Sequence, residues 1–160
     1  RLEYDELVWD FENNTFVITG KPGDPALLSV QGLTDAELHS PKITVNADSG
    51  LNQIHGAVAT GPVRVNMLTA PDTNGVRRRI NAVAQDRATY DQSAATVKMI
   101  GNVVADIVSL PETGNEAAHL ESEQIIVDLR ASTLTAKRDG GEGSFEVTTE
   151  VDVQNEGAQQ

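Results

Sequence analysis

The side chains capable of catalysis or metal binding are scattered along the 160-residue chain. Its three histidines, His39, His55 and His119, lie far apart, and none has the spacing of a metal-ligand pair. Glu121 and Glu123 would share one face of a strand, as a solvated pair rather than the unequal pair that acid–base catalysis needs. No Ser-His-Asp grouping, phosphate-binding loop or dinucleotide-binding glycine motif is present. We therefore expect a non-enzyme without metal or cofactor.

One basic cluster, Arg77-Arg78-Arg79, stands out in a chain of net charge −12. In a strand, Arg78 would face away from Arg77 and Arg79, so the three cannot contact one ligand. The cluster is either a solvated strand start that balances nearby acids or a phosphate contact made by Arg77 and Arg79, since guanidinium geometry suits phosphate. The sequence leaves both interpretations open.

The composition excludes several classes of protein. A net charge of −12 argues against a nucleic-acid partner, because phosphates would be repelled. The chain has no cysteine, so disulfides, thiolate catalysis and zinc–sulfur sites are ruled out. The chain contains no run of eighteen apolar residues, which is about the length that a membrane-spanning helix needs. We expect a single domain over residues 1–160, with an interior mainly of valine, isoleucine, leucine and alanine because aromatic residues make up only 4%.

Residues 82–101 show the pattern that predicts the fold. Ala84, Ala88 and Tyr90 alternate with polar residues, residues 91–93 form a turn, and Val97 and Met99 resume the alternation, which continues past Gly101. Period-two alternation predicts strands with one buried and one solvated face. No segment of ten residues has a helical period, so we predict an all-β sandwich or open barrel.

The same pattern occurs earlier in the chain. With a shift of about 81 residues, Trp9-Asp10 falls on Tyr90-Asp91 and Gly20 on Gly101. With one more residue of shift, Ser40 falls on Ser122; with a further residue, Leu51 falls on Leu134. The sequence thus predicts two copies of one unit, at about residues 4–60 and 85–141, which must stack to bury their apolar faces.

The second unit resembles a known family. It contains A-x-x-x-A-x-Y-D, then V-x-M-x-G-N-V, then L-x-S-x-x-I-x-V-D-L. The matching residues are Ala84, Ala88, Tyr90, Asp91, Val97, Met99, Gly101, Asn102, Val103, Leu120, Ile125, Val127, Asp128 and Leu129. This pattern is similar to the OstA-like domain of the lipopolysaccharide-transport proteins LptA and LptC and of the N-terminal part of LptD. The first unit departs from it at Trp9 and at Lys21-Pro22.

The resemblance implies an open β-jellyroll, with stacked antiparallel hairpins bent into a V that is apolar inside. The family holds acyl chains in this interior. The candidate lipid-binding residues are Trp9, Phe16, Ile18, Ile43, Val45, Tyr90, Val97, Met99, Val103, Ile125, Val127 and Leu129. Alternation alone does not separate a lipid groove from a closed core. Arg77 and Arg79 would then contact phosphate on lipid A or the core sugars.

The resemblance also implies a function and partners. We expect a periplasmic carrier of lipopolysaccharide toward the outer membrane that joins other jellyrolls, or further copies of itself, edge to edge. The strands near residues 2–11 and 144–153 are the expected edges. A membrane segment before Arg1 would favour an LptC-type anchored subunit over an LptA-type bridge. Two alternatives remain: a β-sandwich carbohydrate-binding module, for which aromatic residues are few, and a structural or adhesion repeat of a larger surface protein.

Overall fold

The computed structural model describes residues 1–31, 35–48, 53–110 and 117–137. Within these ranges the regular structure is entirely β, which confirms the predicted fold class, and no helix is long and apolar enough to cross a bilayer. The strands are β1 (Leu2–Glu3), β2 (Glu6–Asp10), β3 (Thr15–Thr19), β4 (Ala26–Val30), β5 (Asp35–Ser40), β6 (Lys42–Ala47), β7 (Ile54–Thr60), β8 (Val63–Leu68), β9 (Arg77–Ala84), β10 (Arg87–Asp91), β11 (Thr96–Leu110), β12 (Ala117–Asp128) and β13 (Thr133–Lys137).

The strands form one antiparallel sheet that folds into two half-sheets. The first half-sheet has the order β1-β4-β5-β8-β9, and the second has the order β2-β3-β6-β7-β10. The long strands β11 and β12 belong to both: Thr96–Ile100 of β11 pairs with β10, whereas Val104–Leu110 pairs with β9. Successive hairpins along the chain therefore alternate between the half-sheets, and both contribute side chains to one apolar cluster.

The chain crosses between the half-sheets along one line, which we call the spine. The crossings lie at residues 4–5, 20–25, 41, 61–62, 85–86, 101–102 and 123. Backbone N–H groups join neighbouring crossings by donating to carbonyl oxygens, from Gly20 to Pro41 (3.0 Å), Gly61 to Asp86 (2.8 Å) and Gln85 to Gly101 (2.7 Å). The hairpin turns that the structure describes lie at the opposite ends of the strands: residues 69–76 on the rim of the first half-sheet, and residues 11–14, 92–95 and 129–132 on the rim of the second. The spine thus closes one side of the interior, and the rims border the other.

Two predicted strands are each divided by a crossing of the chain between the half-sheets. The predicted strand near residues 2–11 is β1 and β2, which pair with β4 and β3 in different half-sheets. The alternation from Ala84 to Tyr90 is also interrupted, because β9 ends at Ala84 and β10 begins at Arg87. Ala84 and Ala88 are nevertheless both buried. The crossing preserves the alternation, so the sequence pattern conceals the break.

Three hairpins of the second half-sheet have turns of the same kind. Asp10, Asp91 and Asp128 each precede the turn, and one carboxylate oxygen of each accepts backbone N–H bonds from within the turn at 2.8–3.2 Å. The N–H of Ala94 in this way lowers the pKa of the Asp91 carboxyl below its ordinary value of 3.8. The residue before the next strand has positive φ in all three turns: Asn14 (49°), Ala95 (52°) and Ser132 (58°).

The serines matched by the predicted repeat make equivalent contacts. Ser40 Oγ lies 3.0 Å from the carbonyl oxygen of Lys42 and 2.7 Å from that of Thr60. Ser122 Oγ lies 3.1 Å from the carbonyl oxygen of Gln124 and 2.5 Å from that of Lys137. Because the turn after Asp128 repeats the pattern a third time, the division into two units stays a prediction. Leu51, residues 138–141 of the second unit and residues 144–153 lie outside the described residues.

Candidate functional site

The candidate lipid-binding residues lie together in the interior. Trp9 is partly buried and packs against the central cluster, whereas the other candidates are at most 6% exposed. The strand register brings them together in neighbouring pairs: Phe16 with Val45, Ile18 with Ile43, Val97 with Val127, and Met99 with Ile125. The alternation predicted the buried face of these strands correctly, and nearly all of the candidates lie on the second half-sheet.

The interior is closed in this structure and rich in alanine. Ala57 and Ala59 on β7, Ala84 on β9 and Ala88 on β10 are all at most 3% exposed. An alanine side chain has a small apolar area, and the free-energy cost of exposing apolar surface to water is proportional to the area exposed. Separating the half-sheets therefore costs less here than it would with leucine at the same positions.

A buried polar network connects the two rims, and we call it the rim clasp (Thr69, Ala70, Asp72, Arg78, Leu129 and Ser132). The Arg78 guanidinium, 4% exposed, donates to Ser132 Oγ at 2.7 Å and to the Ser132 carbonyl oxygen at 3.3 Å. Thr69 Oγ1 lies 2.8 Å from Ser132 Oγ, and the N–H of Ala70 donates to the carbonyl oxygen of Leu129 at 2.8 Å. The clasp thus holds the β8–β9 loop of the first half-sheet against the β12–β13 turn of the second.

Asp72 shapes the loop on the clasp's first side. Its Oδ1 accepts the N–H groups of Asn74 (2.8 Å) and Val76 (2.9 Å), and its Oδ2 lies 3.5 Å from Arg78 Nη1. The Val76 hydrogen bond is the largest cause that lowers the pKa of the Asp72 carboxyl from 3.8. The sequence indicated that Arg78 faces away from its neighbours. It gave no sign of the clasp, because Ser132 lies 54 residues further along the chain.

Arg77 and Arg79 lie on the outer face of β9. Arg77 is half-buried, and its Nε donates to the carbonyl oxygen of Thr69 at 2.9 Å, whereas Arg79 is exposed. They share a face, as alternation predicted, but that face points away from the apolar interior. Phosphate contact by these two residues stays a prediction.

The histidines and paired glutamates face solvent on the sheet's outer surface. His119 Nδ1 lies 2.7 Å from Asp106 Oδ1 and its Nε2 lies 3.5 Å from Glu121 Oε1; the hydrogen bond with Asp106 is the largest cause that raises the His119 pKa above 6.5. Glu121 and Glu123 are both exposed. In the ranges that the structure describes, no group of three or more histidine, aspartate or glutamate side chains is arranged so that it could hold a metal ion.

Three aromatic rings gather at the edge of the second half-sheet, next to its rim. Trp9 stacks on Phe11, with ring centroids 5.2 Å apart and an interplanar angle of 14°, and lies 5.9 Å from Phe16. Phe11 is 78% exposed. The Trp9 indole Nε1 is buried and has no hydrogen-bond partner in the part of the chain that the structure describes. β2, which carries Trp9, has no strand on its other side among the described residues.

Comparison with known families decides the assignment. A family model described as LptA/(LptD N-terminal domain) LPS transport protein matches residues 5–133. The chain belongs to this family. Its membership confirms the resemblance drawn from residues 84–129 and extends it over the first unit, where Trp9 and Lys21-Pro22 depart from the pattern. Members of this family are transport components, so the chain is not an enzyme.

A solved structure supports the fold. The chain is similar to LptH from Pseudomonas aeruginosa, described as the LptA homologous periplasmic component of the lipopolysaccharide transport device. The TM-score is 0.61 at 20% identity, over 91% of this chain and 87% of that one. No curated protein sequence shows significant similarity to the chain. The LptH likeness confirms the jellyroll fold, and the family model places the chain among lipopolysaccharide-transport proteins.

Proposed function

We propose that this LptA-like chain holds the acyl chains of lipopolysaccharide in its apolar interior and carries the lipid across the periplasm. The observation that supports this most directly is the continuous apolar cluster, to which both half-sheets contribute side chains. Acyl chains would lie between the half-sheets, and the sugar headgroup would lie at the rims. The periplasmic location follows from family membership and from the description of LptH.

The energetics suit a carrier without a source of energy of its own. Each buried methylene contributes about 0.8 kcal/mol, so a twelve-carbon acyl chain avoids roughly 10 kcal/mol of exposure to water. In a trough that is apolar along its whole length, a lipid moves between similar environments without exposing its acyl chains to water. Direction would come from an ATP-driven transporter upstream.

The interior must open before it can accept a lipid. Candidate residues such as Ile43, Val97 and Ile125 are 0% exposed, so no acyl chain fits between them as they stand. The spine is continuous in backbone and hydrogen bonds, whereas the rims are joined in the described residues by side-chain and loop contacts such as the rim clasp. We therefore propose that the half-sheets separate at the rims and pivot about the spine.

Site-specific photo-crosslinking tests the lipid-binding interior. A photoreactive residue at Val127, which is 0% exposed and faces inward, is expected to form an adduct with lipopolysaccharide. The matched control is Ile126, the neighbouring residue on the outer face of β12. Asp128 is unsuitable as a control, because its carboxylate holds the turn through Arg130 and Ala131. Mass spectrometry of the irradiated protein identifies the adduct.

The pattern of adducts decides between the alternatives. An adduct at Val127 and none at Ile126 supports a lipid trough. If the folded protein forms no adduct at either position, the interior is a closed core, and the carbohydrate-binding or structural module becomes the better explanation.

We further propose that β2 pairs with another jellyroll. In the described residues β2 bonds to β3 on one side only, and its outward Val8 is 55% exposed. An unpaired edge presents backbone donors and acceptors to a second strand. The partner edge would belong to another transport jellyroll or to a second copy of this chain. The second edge predicted at residues 144–153 lies outside the described residues.

Substituting proline at position 7 tests the edge. The Thr19 carbonyl oxygen faces β2, so Val17, two residues earlier on β3, also faces β2 and pairs with Val8, and the N–H of Leu7 points to the open side. Leu7→Pro removes that donor, so sedimentation velocity across a concentration series is expected to show weaker self-association than in the parent protein. Leu7→Val, which keeps the N–H, is the matched control. Thermal unfolding of both variants verifies that β2 still pairs with β3. Equal association of the folded proline and valine variants would argue against pairing through β2.

A further inference from the structure

The indole N–H of Trp9 is a buried hydrogen-bond donor with no acceptor among the residues that the structure describes. An unpaired buried donor costs free energy, so native structures rarely keep one. Trp9 is on the inner face of β2 and pairs in register with Phe16, whose side chain belongs to the apolar cluster. A molecule bound inside the interior or at its edge could supply the acceptor that the described residues lack.

The position of Trp9 identifies the depth of that acceptor. Trp9 immediately precedes Asp10, and the equivalent Tyr90 immediately precedes Asp91, so both aromatic residues lie at the last inward position before the rim turn. Tyrosine and tryptophan are enriched where one end of the ring is apolar and the other polar. Both residues thus mark the boundary between the apolar interior and the polar rim of the second half-sheet.

We propose that the Trp9 indole N–H donates a hydrogen bond to the ester or amide carbonyl that links an acyl chain to the lipid headgroup. This inference rests on the proposed function. In an acylated lipid, the carbonyl is the group between the hydrocarbon chain and the polar headgroup, so it would lie at the depth of Trp9 when the chain is inside. The stacked Phe11, 78% exposed, would cover the outer side of the same ring.

The experiment uses Trp9 as its own probe, because it is the chain's single tryptophan. The indole N–H of ¹⁵N-labelled protein gives one resonance, which is followed during titration with two synthetic lipids of equal chain length. One lipid has ester-linked chains and the other has ether-linked chains, which lack the carbonyl. The ester lipid is expected to move the indole proton downfield, and the ether lipid is not.

A variant measures the contribution of the hydrogen bond. Trp9→Phe keeps an aromatic ring and removes the donor, so it is expected to bind the ester lipid about fivefold more weakly, as one hydrogen bond predicts. The ether lipid reports the effect of the smaller ring alone, so the ester lipid should lose about fivefold more affinity than the ether lipid does. Phe11→Leu leaves the indole donor in place and serves as the control for altered packing at this edge. Circular dichroism verifies that both variants are folded.

The outcomes separate this inference from the proposed function. If the ester lipid forms the Val127 adduct while the indole resonance stays in place and Trp9→Phe binds equally well, the carbonyl contact is wrong and the lipid trough stands. Equal downfield shifts with both lipids show a change in ring environment without the carbonyl bond and also overturn it. A downfield shift on raising the protein concentration alone assigns the acceptor to a second copy, and absence of lipid binding overturns both proposals.

Discussion

Replacing Gly101 with alanine is expected to lower the free energy of unfolding by about 2–4 kcal/mol. Gly101 lies at the crossing where β11 passes from the second half-sheet to the first, and its φ is +90°. L-residues rarely adopt this conformation. A Cβ there would also lie 2.4 Å from Asp86 Cγ and 2.8 Å from Asp86 Cβ, on the neighbouring crossing of the spine. Strain and overlap therefore act together, and equilibrium urea unfolding measures their sum.

Gly75 provides the control that separates the two effects. Its φ is +79°, close to that of Gly101, but a Cβ added there meets no atom within 4 Å. Gly75→Ala is thus expected to cost only the conformational part, about 1–2 kcal/mol. Adding Asp86→Ala to Gly101→Ala removes Cγ and should restore part of the loss. Equal destabilisation by the two glycine variants would show that the spine relaxes around the added methyl group.

The same glycine shows how far the sequence predicts this fold. Alternation gave the buried face of β11 correctly, from Val97 and Met99 to Val103. It could not show that the strand changes half-sheet at residues 101–102, since the inward positions remain two residues apart across the bulge. Side-chain periodicity records which face is buried and not which strand lies beside it. The one sequence feature that marked the crossings was the matched pair Gly20 and Gly101. Both lie where a side chain would overlap a neighbouring segment, and a Cβ on Gly20 would lie 2.2 Å from the backbone N of Ala26.

The candidate site likewise contains residues that the sequence could predict and contacts that it could not. Its apolar residues were predictable, because each shows its buried face through its neighbours on the same strand. The missing acceptor of Trp9 Nε1 among the described residues and the bond from Arg78 to Ser132 were not predictable, because both depend on which strands and turns meet in space. The sequence predicted which face of the strand Arg78 lies on, but not that its side chain is buried. Its burial depends on contacts with Thr69 and Ser132, which are distant in the sequence. The polar contacts between the two rims were therefore found only from the structure.

Replacing Ser132 with alanine is expected to destabilise the protein by about 1.5–3 kcal/mol, the range for hydrogen bonds to a charged group. The variant removes the hydroxyl that accepts from the buried Arg78 at 2.7 Å and lies 2.8 Å from Thr69 Oγ1. Backbone strain should not change, because Ala95 already holds the same place in the equivalent turn at a φ of 52°, near the 58° of Ser132. Equilibrium unfolding in urea measures the loss.

The reverse substitution and a lipid readout complete the test. Ala95→Ser adds a hydroxyl to the equivalent turn, which belongs to the same half-sheet but not to the rim clasp. Because Ala95 is 6% exposed and belongs to the apolar cluster, the variant is expected to lose about 1–3 kcal/mol and so controls for lost stability outside the clasp. If the half-sheets separate at the rims, a weakened clasp lowers the cost of opening, so the photoreactive residue at Val127 should form its lipid adduct faster in Ser132→Ala than in Ala95→Ser. A loss of stability with an unchanged adduct rate would mean that the clasp holds the fold together but that lipid enters elsewhere, and the unpaired edge at β2 would then be the next position to open.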